Sequence, residues 1–307
     1  LKVFMFTLLL LTTLPLFGLV FVGFALGKFS LFNNQDAKVF LKLIGILVVP
    51  TLGIKIIGEF NYQHIKWDLY FLYLVSQFLI YFTGFFIGKL IFKRSNAESL
   101  IIGMTSAFSN HLFFVYPIAL FEFATKDIVP IETIISADFI TVGLSVCALD
   151  VATQKNIKIK SILFKQFKNP ALIGLLLGLI VFLLKIDLPL SLGRLVDFIC
   201  DTGTPCALIA MGILLSYKTN RDQIKLSLII TFLKVLLFPI LLFSFIFLFE
   251  YDLNISKTTM MVAAAPIGAM GLIFASIYNV KTDAVVRAGI FTYILSLIGI
   301  PIVGSIA

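Results

Sequence analysis

Ser-Asn-His-Leu-Phe-Phe-Val-Tyr-Pro, at residues 109–117, interrupts an apolar run that extends from residue 97 to residue 125. Proline removes a backbone donor and clashes with the preceding helical turn, so this stretch predicts a helix that breaks just ahead of Pro117. A second run contains Ala-Ala-Ala-Pro-Ile-Gly-Ala-Met-Gly at residues 263–271, where a proline followed by two glycines predicts a comparable break. Both breaks fall near the middle of their runs.

The composition identifies the class of protein. Hydrophobic residues make up 60% of the 307 residues and charged residues 13%, against roughly 45–50% and roughly 25% in soluble domains. The mean hydropathy of +1.08 excludes an ordinary water-soluble fold. Because the apolar runs are long enough to cross a bilayer core of about 30 Å, the sequence predicts an all-α polytopic membrane protein. The first run is too long for a signal peptide and lacks a small-x-small cleavage site, so we expect a retained span.

Apolar runs bounded by charge, proline or glycine predict ten spans in two halves of five. The halves are residues 1–153 and 168–307, joined by a lysine-rich linker at residues 154–167. No polar stretch is long enough to form a soluble domain. The predicted spans are 3–27, 37–58, 68–92, 97–125, 131–153, 168–185, 190–216, 224–249, 256–279 and 282–305.

The distribution of Lys and Arg predicts the orientation. Sixteen of these 24 residues lie on the side that holds the linker, seven lie on the opposite side, and Lys234 lies inside span 8. The positive-inside rule then predicts both termini outside the cell membrane and the 154–168 loop in the cytoplasm. This bias accounts for the net charge of +8 without a nucleic-acid partner.

Six prolines repeat across the two halves at nearly constant spacing. An odd number of spans per half makes the second half enter the membrane from the opposite side, so the repeat is predicted to be inverted. The pairs are Pro15 and Pro170, Pro50 and Pro205, and Pro117 and Pro266, separated by 155, 155 and 149 residues.

The two breaks form the candidate binding site. Half-helix N-termini near Pro117 to Ala119 and Gly268 to Gly271 would offer free N–H groups and a partial positive charge to a carboxylate, and Asn110 would add an amide donor. The alternative is that these prolines only kink packed helices. From the breaks, the candidate substrate-binding residues are Ser109, Asn110, His111, Pro117, Pro266, Gly268, Met270 and Gly271.

Ionisable groups inside spans are candidates for ion coupling. These are His111, Asp138 and Asp201. Histidine titrates near neutral pH, but His111 is equally suited to bonding a carbonyl freed by the break. A further alternative is that an acid pairs with the buried Lys234. His64, in a charged loop, is predicted to have no specific role.

The whole chain resembles the auxin efflux carrier family, which includes bacterial malate and malonate permease-like proteins and plant auxin exporters. The resemblance implies ten helices in a five-plus-five inverted repeat, crossing broken helices 4 and 9, and elevator-like movement. It also implies that spans 1, 2, 6 and 7 divide between the scaffold and the substrate pocket, and it suggests a homodimer. Relatives often have a polar Asn near the position of Met270, so the second half here is expected to offer less polar recognition. The resemblance rests on residues 107–110 with Pro117, 169–178, 205–212 and 265–266, and it adds Pro50, Thr51, Thr204 and Pro205 to the candidate site.

The sequence therefore predicts a secondary transporter for a small organic anion, a mono- or dicarboxylate, coupled to protons or sodium. The alternatives are a sodium-coupled bile-acid-type symporter and a channel or uniporter. An enzyme is disfavoured because no HExxH pair and no Gly-x-Gly-Asp motif occurs. Three cysteines in apolar runs imply neither disulfides nor a metal site. We expect no cofactor, and membrane lipid as the surrounding partner.

Overall fold

The chain is all-helical over the part that the computed structural model describes. The one strand-like contact there is an isolated antiparallel bridge between Ser109 and Ile267. The predicted all-α class is thus confirmed. The predicted basic linker, residues 154–167, and His64 lie outside the described residues. Those residues are 2–58, 65–153, 170–217, 223–281 and 283–306.

Helices cover all ten predicted apolar runs. Several runs hold two α-helices, joined by a π-helical turn or by extended backbone. The α-helices are α1 Lys2–Lys28, α2 Asn34–Leu43, α3 Val49–Gly58, α4 Trp67–Phe86, α5 Asn96–Ala107, α6 Tyr116–Glu122, α7 Thr125–Thr153, α8 Pro170–Leu183, α9 Leu190–Asp201, α10 Gly203–Leu215, α11 Ile224–Phe232, α12 Phe238–Leu248, α13 Leu253–Ala264, α14 Met270–Ile277 and α15 Asp283–Ile306. The π-helical turns are Ile44–Val48, Ile87–Ile91, His111–Val115 and Leu233–Leu237.

Seven helical stretches among the described residues have the length and composition needed to cross a membrane. The chain is therefore an integral membrane protein. The predicted runs outside this set are the two interrupted ones and the short helix α8. The seven are Val3–Lys28, Asn34–Gly58, Trp67–Ile91, Asp127–Thr153, Leu190–Leu215, Ile224–Leu248 and Asp283–Ser305.

Three of the π-helical turns stand immediately before a proline. Pro50, Pro117 and Pro239 each follow the last residue of a π-helical turn by two positions. A proline cannot donate to the carbonyl four residues back, and its ring collides with that carbonyl in a regular α-helix. The wider π-helical turn moves the carbonyl away. These helices therefore continue through their prolines.

The break in the fourth run is not where the sequence predicts it. Helix α5 ends at Ala107, Phe108 is extended, and helical structure resumes at His111. The prediction of a break just ahead of Pro117 is wrong, because Pro117 lies in the first turn of α6. The π-helical turn His111–Val115 precedes α6 without a gap and accommodates this proline.

The start of α5 agrees with its sequence pattern. Ser95 Oγ accepts a hydrogen bond from the Glu98 backbone N–H at 3.2 Å, and the Ser95 N–H donates to Glu98 Oε2 at 3.2 Å. These two bonds form a capping box, as the Ser-x-x-Glu spacing favours. The capping box stabilises the N-terminus of α5.

Small residues bring two pairs of helices into close contact. A Cβ atom at Gly174 of α8 would collide with the backbone of Pro50 in α3, and one at Gly212 of α10 would collide with the backbone of Val20 in α1. Glycine at these two positions therefore permits the close packing of the helices. Helices α4, α5 and α7 also pack together, and α13 packs against both α12 and α15.

Candidate functional site

The two helix interruptions are hydrogen-bonded to each other. The Asn110 N–H donates to the Pro266 carbonyl at 2.8 Å, and the Gly268 N–H donates to the Phe108 carbonyl at 3.3 Å. These bonds flank the bridge between Ser109 and Ile267. An unpaired backbone group in the hydrocarbon core costs several kcal/mol. Each interruption therefore supplies a hydrogen-bond partner for a backbone group that the other leaves unpaired.

Side chains satisfy the C-terminal end of α13. Lys234 Nζ donates to the Ala263 carbonyl at 2.7 Å, and Ser296 Oγ donates to the Ala264 carbonyl at 2.8 Å. Ala265 is extended, as the residue before a proline prefers to be. The helix thus ends on carbonyls that have donors from two neighbouring helical segments.

Lys234 is fully buried and serves this helix end. Its ammonium lies 4.9 Å from the centroid of the Phe238 ring, and it forms no ion pair with a carboxylate among the described residues. The alternative that an acid neutralises Lys234 is therefore wrong over the described part of the chain. A cation at a helix C-terminus is stabilised by the partial negative charge of the carbonyls there.

Asn110 is held by the last helix. Its side-chain Nδ2 donates to the Tyr293 hydroxyl at 2.8 Å, and Asn110 is only 5% exposed. The Ile267 N–H of the second interruption donates to Thr292 Oγ1 at 3.4 Å. Helix α15 therefore positions both interruptions.

His111 and Asp138 lie together beside the first interruption. His111 Nδ1 is 3.0 Å from the Ser109 carbonyl oxygen, and His111 Nε2 is 3.5 Å from Asp138 Oδ2. Asp138 Oδ1 accepts from Gln77 Nε2 at 3.1 Å and from Thr141 Oγ1 at 3.0 Å. His111 thus contacts a carbonyl at the break and also a carboxylate.

A cavity of about 1280 Å³ begins at the interruptions. Ser109, His111 and Asp138 line one part of its wall, and Gly268 and Met270 line another. Further lining comes from α2 and from the π-helical turn that follows it. The cavity therefore lies between the interruptions and the helical segment formed by α2 and the turn Ile44–Val48.

Charged side chains of both signs line the other end of the cavity. Lys38, Lys42 and Lys281 line it and are exposed. Asp150 also lines the cavity, and its Oδ1 accepts from the Tyr278 hydroxyl at 3.1 Å. Asp283 lines the cavity as well, so an approaching anion meets three ammonium groups and the carboxyl groups of Asp150 and Asp283.

The structure brings together only part of the predicted site. Ser109, Asn110, His111, Asp138, Gly268 and Met270 line the cavity. Asp201 is exposed at the end of α9 and lies outside the cavity lining, so the predicted coupling role for Asp201 has no geometric basis. The other predicted residues outside the lining are Pro117, Pro266, Gly271, Pro50, Thr51, Thr204 and Pro205.

The predicted helix N-termini also need correction. The first lies at His111, six residues before Pro117, because helical structure resumes there. The second lies at Met270, and the Gly268 N–H is already used by Phe108. The free N–H groups at the two helix N-termini therefore belong to the residues that follow Asn110 and Gly268.

Two polar residues of the site escaped sequence reasoning. Gln77 is 2% exposed and bonds Asp138. It is an uncharged polar side chain in the apolar run 68–92, which is a usable signal. Tyr293 carried no signal, because tyrosine is ordinary in an apolar span.

The helices and the cavity define a polytopic membrane transport protein. The family described as "Membrane transport protein" matches residues 8–123 and 149–303, and the chain belongs to this family. The resemblance to the auxin efflux carrier family is confirmed. Asp138 lies between the two matched segments, so its role rests on geometry alone.

Two relatives span almost the whole chain. A protein of Escherichia coli (strain K12), described as "Uncharacterized transporter YfdV", is 26% identical over 299 residues, which cover 93% of this chain and 92% of that protein. A protein of Rhizobium meliloti (strain 1021), described as "Putative malonate transporter", is 22% identical over 292 residues, covering 92% of this chain and 91% of that protein. The family and these relatives are transporters, in agreement with the expectation that the chain is not an enzyme.

Proposed function

We propose that the protein is a secondary active transporter for a small organic anion, a mono- or dicarboxylate, bound where the two interruptions meet. The observation that carries this proposal is the pair of backbone hydrogen bonds between the interruptions at the wall of the cavity. Two helices that break at the same place leave helix ends in a water-accessible space within the membrane. Such ends are the usual binding elements of secondary transporters.

The electrostatics favour an anion. Helical structure begins at His111 and at Met270, both on the cavity wall. Helix N-termini carry a partial positive charge and N–H groups without intrahelical acceptors. Lys38, Lys42 and Lys281 line the far end of the cavity, beside Asp150 and Asp283, and ammonium groups at the mouth of a cleft attract an approaching anion.

One side of the cavity wall is polar and the other is apolar, and this difference limits which substrates fit. The first interruption contributes Asn110 and His111, whereas the second contributes Gly268, Ala269 and Met270. A substrate with its carboxylate toward the first interruption and carbon atoms toward Met270 matches both sides. The relative described as a malonate transporter makes malonate the first acid to test.

We place ten spans in a five-plus-five inverted repeat, with halves at residues 1–153 and 168–307. The interrupted segments α5–α6 and α13–α14, together with α8, complete the seven continuous spans. In such a repeat α1 corresponds to α8, and α3 corresponds to α10. Helix α1 packs against α10 through glycine, and α8 packs against α3 in the same way. The two-fold operation of an inverted repeat would convert the first of these contacts into the second. The presence of both contacts supports the repeat.

The same packing supports elevator-like movement. Helices α1, α3, α8 and α10 form close glycine contacts and are assigned to a static scaffold. The interrupted segments with α4, α7, α12 and α15 are assigned to the moving unit. The cavity lies between α2 on the scaffold side and the interruptions on the moving side, as an elevator requires.

The proposed orientation puts the lysine-lined end of the cavity in the cytoplasm. Lys38, Lys42 and Lys281 belong to the side with the larger number of basic residues. The site would then face the cytoplasm in this conformation, with both termini outside the plasma membrane.

The test is counterflow in proteoliposomes loaded with unlabelled acid. Radiolabelled malonate, malate, succinate and indole-3-acetate are offered outside, with protein-free liposomes as the control. Saturable counterflow of at least one acid is expected. A flux that rises linearly with concentration and shows no counterflow would indicate a channel, and no flux of any acid by folded protein would overturn the proposal.

A further inference from the structure

We propose that His111 and Asp138 together hold one transported proton, so that the carrier is a proton–anion symporter. This inference rests on the proposed function and names its coupling ion. Both residues line the cavity, and they are 7% and 6% exposed. Their contacts decide the number of protons that the pair must hold.

The Ser109 carbonyl fixes one proton of His111. A carbonyl oxygen can only accept, and it lies 3.0 Å from Nδ1. Nδ1 therefore carries a hydrogen and donates it to Ser109. In a neutral imidazole the other nitrogen, Nε2, is then a bare acceptor.

That bare nitrogen would face another acceptor. Nε2 lies 3.5 Å from Asp138 Oδ2, and Oδ2 has no hydrogen-bond donor among the described residues. Two lone pairs facing each other in a buried site are unfavourable, and unpaired buried polar atoms are costly. One additional proton removes the conflict, either on Nε2 or on Oδ2. In both arrangements one of the two atoms, Nε2 or Oδ2, donates a hydrogen bond to the other. The pair is then electrically neutral.

The neighbouring groups leave this proton on the pair. Gln77 and Thr141 donate to Asp138 Oδ1, and neither titrates. The titratable groups near the pair are Tyr70 and Tyr73 of α4 and Lys234 before α12. Lys234 already donates to the Ala263 carbonyl. Among the described residues, the proton between Nε2 and Oδ2 is therefore shared by His111 and Asp138 alone.

The proton and the anion are coupled through charge. With its proton the pair is neutral, and an organic anion can occupy the adjoining cavity. Loss of the proton to cavity water leaves one net negative charge on the pair, beside the bound anion. Like charges in a site of low dielectric repel strongly, so anion and proton leave together. The expected stoichiometry is one proton per anion.

The transport test uses a pH gradient in proteoliposomes whose membrane potential is clamped at zero with potassium and valinomycin. For wild type, one pH unit, acid outside, is expected to drive about tenfold accumulation of a transported acid, since one unit is about 1.4 kcal/mol. Asp138→Asn keeps the shape of the side chain but cannot exchange the proton, and is expected to lose this accumulation. Asp201→Asn, an exposed acid outside the cavity, is the matched control and is expected to accumulate the acid as wild type does.

Two results would overturn the inference while the proposed function stands. One is wild-type counterflow with no accumulation in response to pH. The other is undiminished pH-driven accumulation by Asp138→Asn. Absence of counterflow by wild type would instead count against the proposed function.

A second measurement needs no substrate. The chain has two histidines, so ¹⁵N-histidine NMR of His64→Gln in detergent reports His111 alone. At pH 7 the expected spectrum has a protonated Nδ1, and either a protonated Nε2 or an Nε2 that accepts a hydrogen bond. In Asp138→Asn, Nε2 is expected to be unprotonated and to accept from the amide. A bare Nδ1 at pH 7 would overturn the inference.

Discussion

Lys234 Nζ donates a 2.7 Å hydrogen bond to the carbonyl of Ala263, at the end of the helix that leads into the second interruption. The lysine is fully buried, and its charge lies at the negative end of a helix dipole. A buried charge that is bonded to a backbone carbonyl and close to an aromatic ring acts as a fixed cap. A side chain from a different helical segment therefore stabilises the end of α13, where the second interruption begins.

Lys234→Met should lower the stability of the protein. Removing the donor leaves the Ala263 carbonyl buried and unpaired, at a cost of about 1–3 kcal/mol. We expect a melting temperature in detergent several degrees below wild type, and partial recovery in Lys234→Arg. Lys225→Met, an exposed residue on α11, is the control and should melt as wild type does. Equal melting temperatures for Lys234→Met and the control would contradict the cap.

Tyr293→Phe should weaken substrate binding without unfolding the protein. The hydroxyl accepts from Asn110 Nδ2 at 2.8 Å, so its loss releases the amide from its fixed direction. A neutral hydrogen bond contributes about 1 kcal/mol, and we expect KM for counterflow to rise about fivefold. Tyr251→Phe removes a hydroxyl that donates to Asp68 at 3.1 Å, away from the cavity, and should leave KM as it is. An unchanged KM in Tyr293→Phe would show that substrate binding does not depend on the orientation that Tyr293 gives the Asn110 amide.

Gly271→Ala should impair transport through one specific contact. An added Cβ atom would lie 2.5 Å from Thr105 Oγ1 and 3.5 Å from Thr105 Cβ. The first distance is a collision and the second is ordinary contact, so the hydroxyl alone causes the clash. The double variant Gly271→Ala with Thr105→Ala should therefore recover most of the lost rate, measured as initial counterflow. Failure of the second substitution to restore any rate would contradict the contact between α14 and α5.

Gly174→Ala and Gly18→Ala should change stability in opposite directions. Alanine favours a helix over glycine by about 1 kcal/mol, and a Cβ at Gly18 meets nothing within 4 Å. A Cβ at Gly174 meets the backbone of Pro50, which cannot move aside as a side chain could. We expect a higher melting temperature for Gly18→Ala and a lower one for Gly174→Ala. The same sign for both would show that α3 and α8 do not pack as described.

Much of the fold was predictable because apolar length and proline spacing are local signals. The runs that begin at residues 68, 190 and 224 correspond to helices that begin within one residue of those positions. The position of the first break was not predictable, because it depends on a contact with the second break. Phe108 is extended where its carbonyl accepts from Gly268, more than 150 residues away in the chain. Pro117, the strongest local signal, ends up inside a helix turn.

The candidate site was predictable only in part for a similar reason. Asn110, His111 and Asp138 were identifiable as polar groups in apolar runs. The contact between His111 and Asp138 depends on how α7 packs beside the interruption. The spacing of residues in the sequence does not indicate that packing. Asp201 carried the same local signal as Asp138, yet it ends at the surface.

The proposal on which the others depend is that a small carboxylate binds where the two interruptions meet. Its most direct test is saturable malonate counterflow by wild type, by Asn110→Ala and by Asn254→Ala. Asn254 lies near the exposed start of α13, outside the cavity. We expect Asn110→Ala to lose at least tenfold in kcat/KM with an unaltered elution profile, and Asn254→Ala to match wild type. Equal counterflow by Asn110→Ala and wild type, for malonate and for every other acid that wild type carries, would contradict the account.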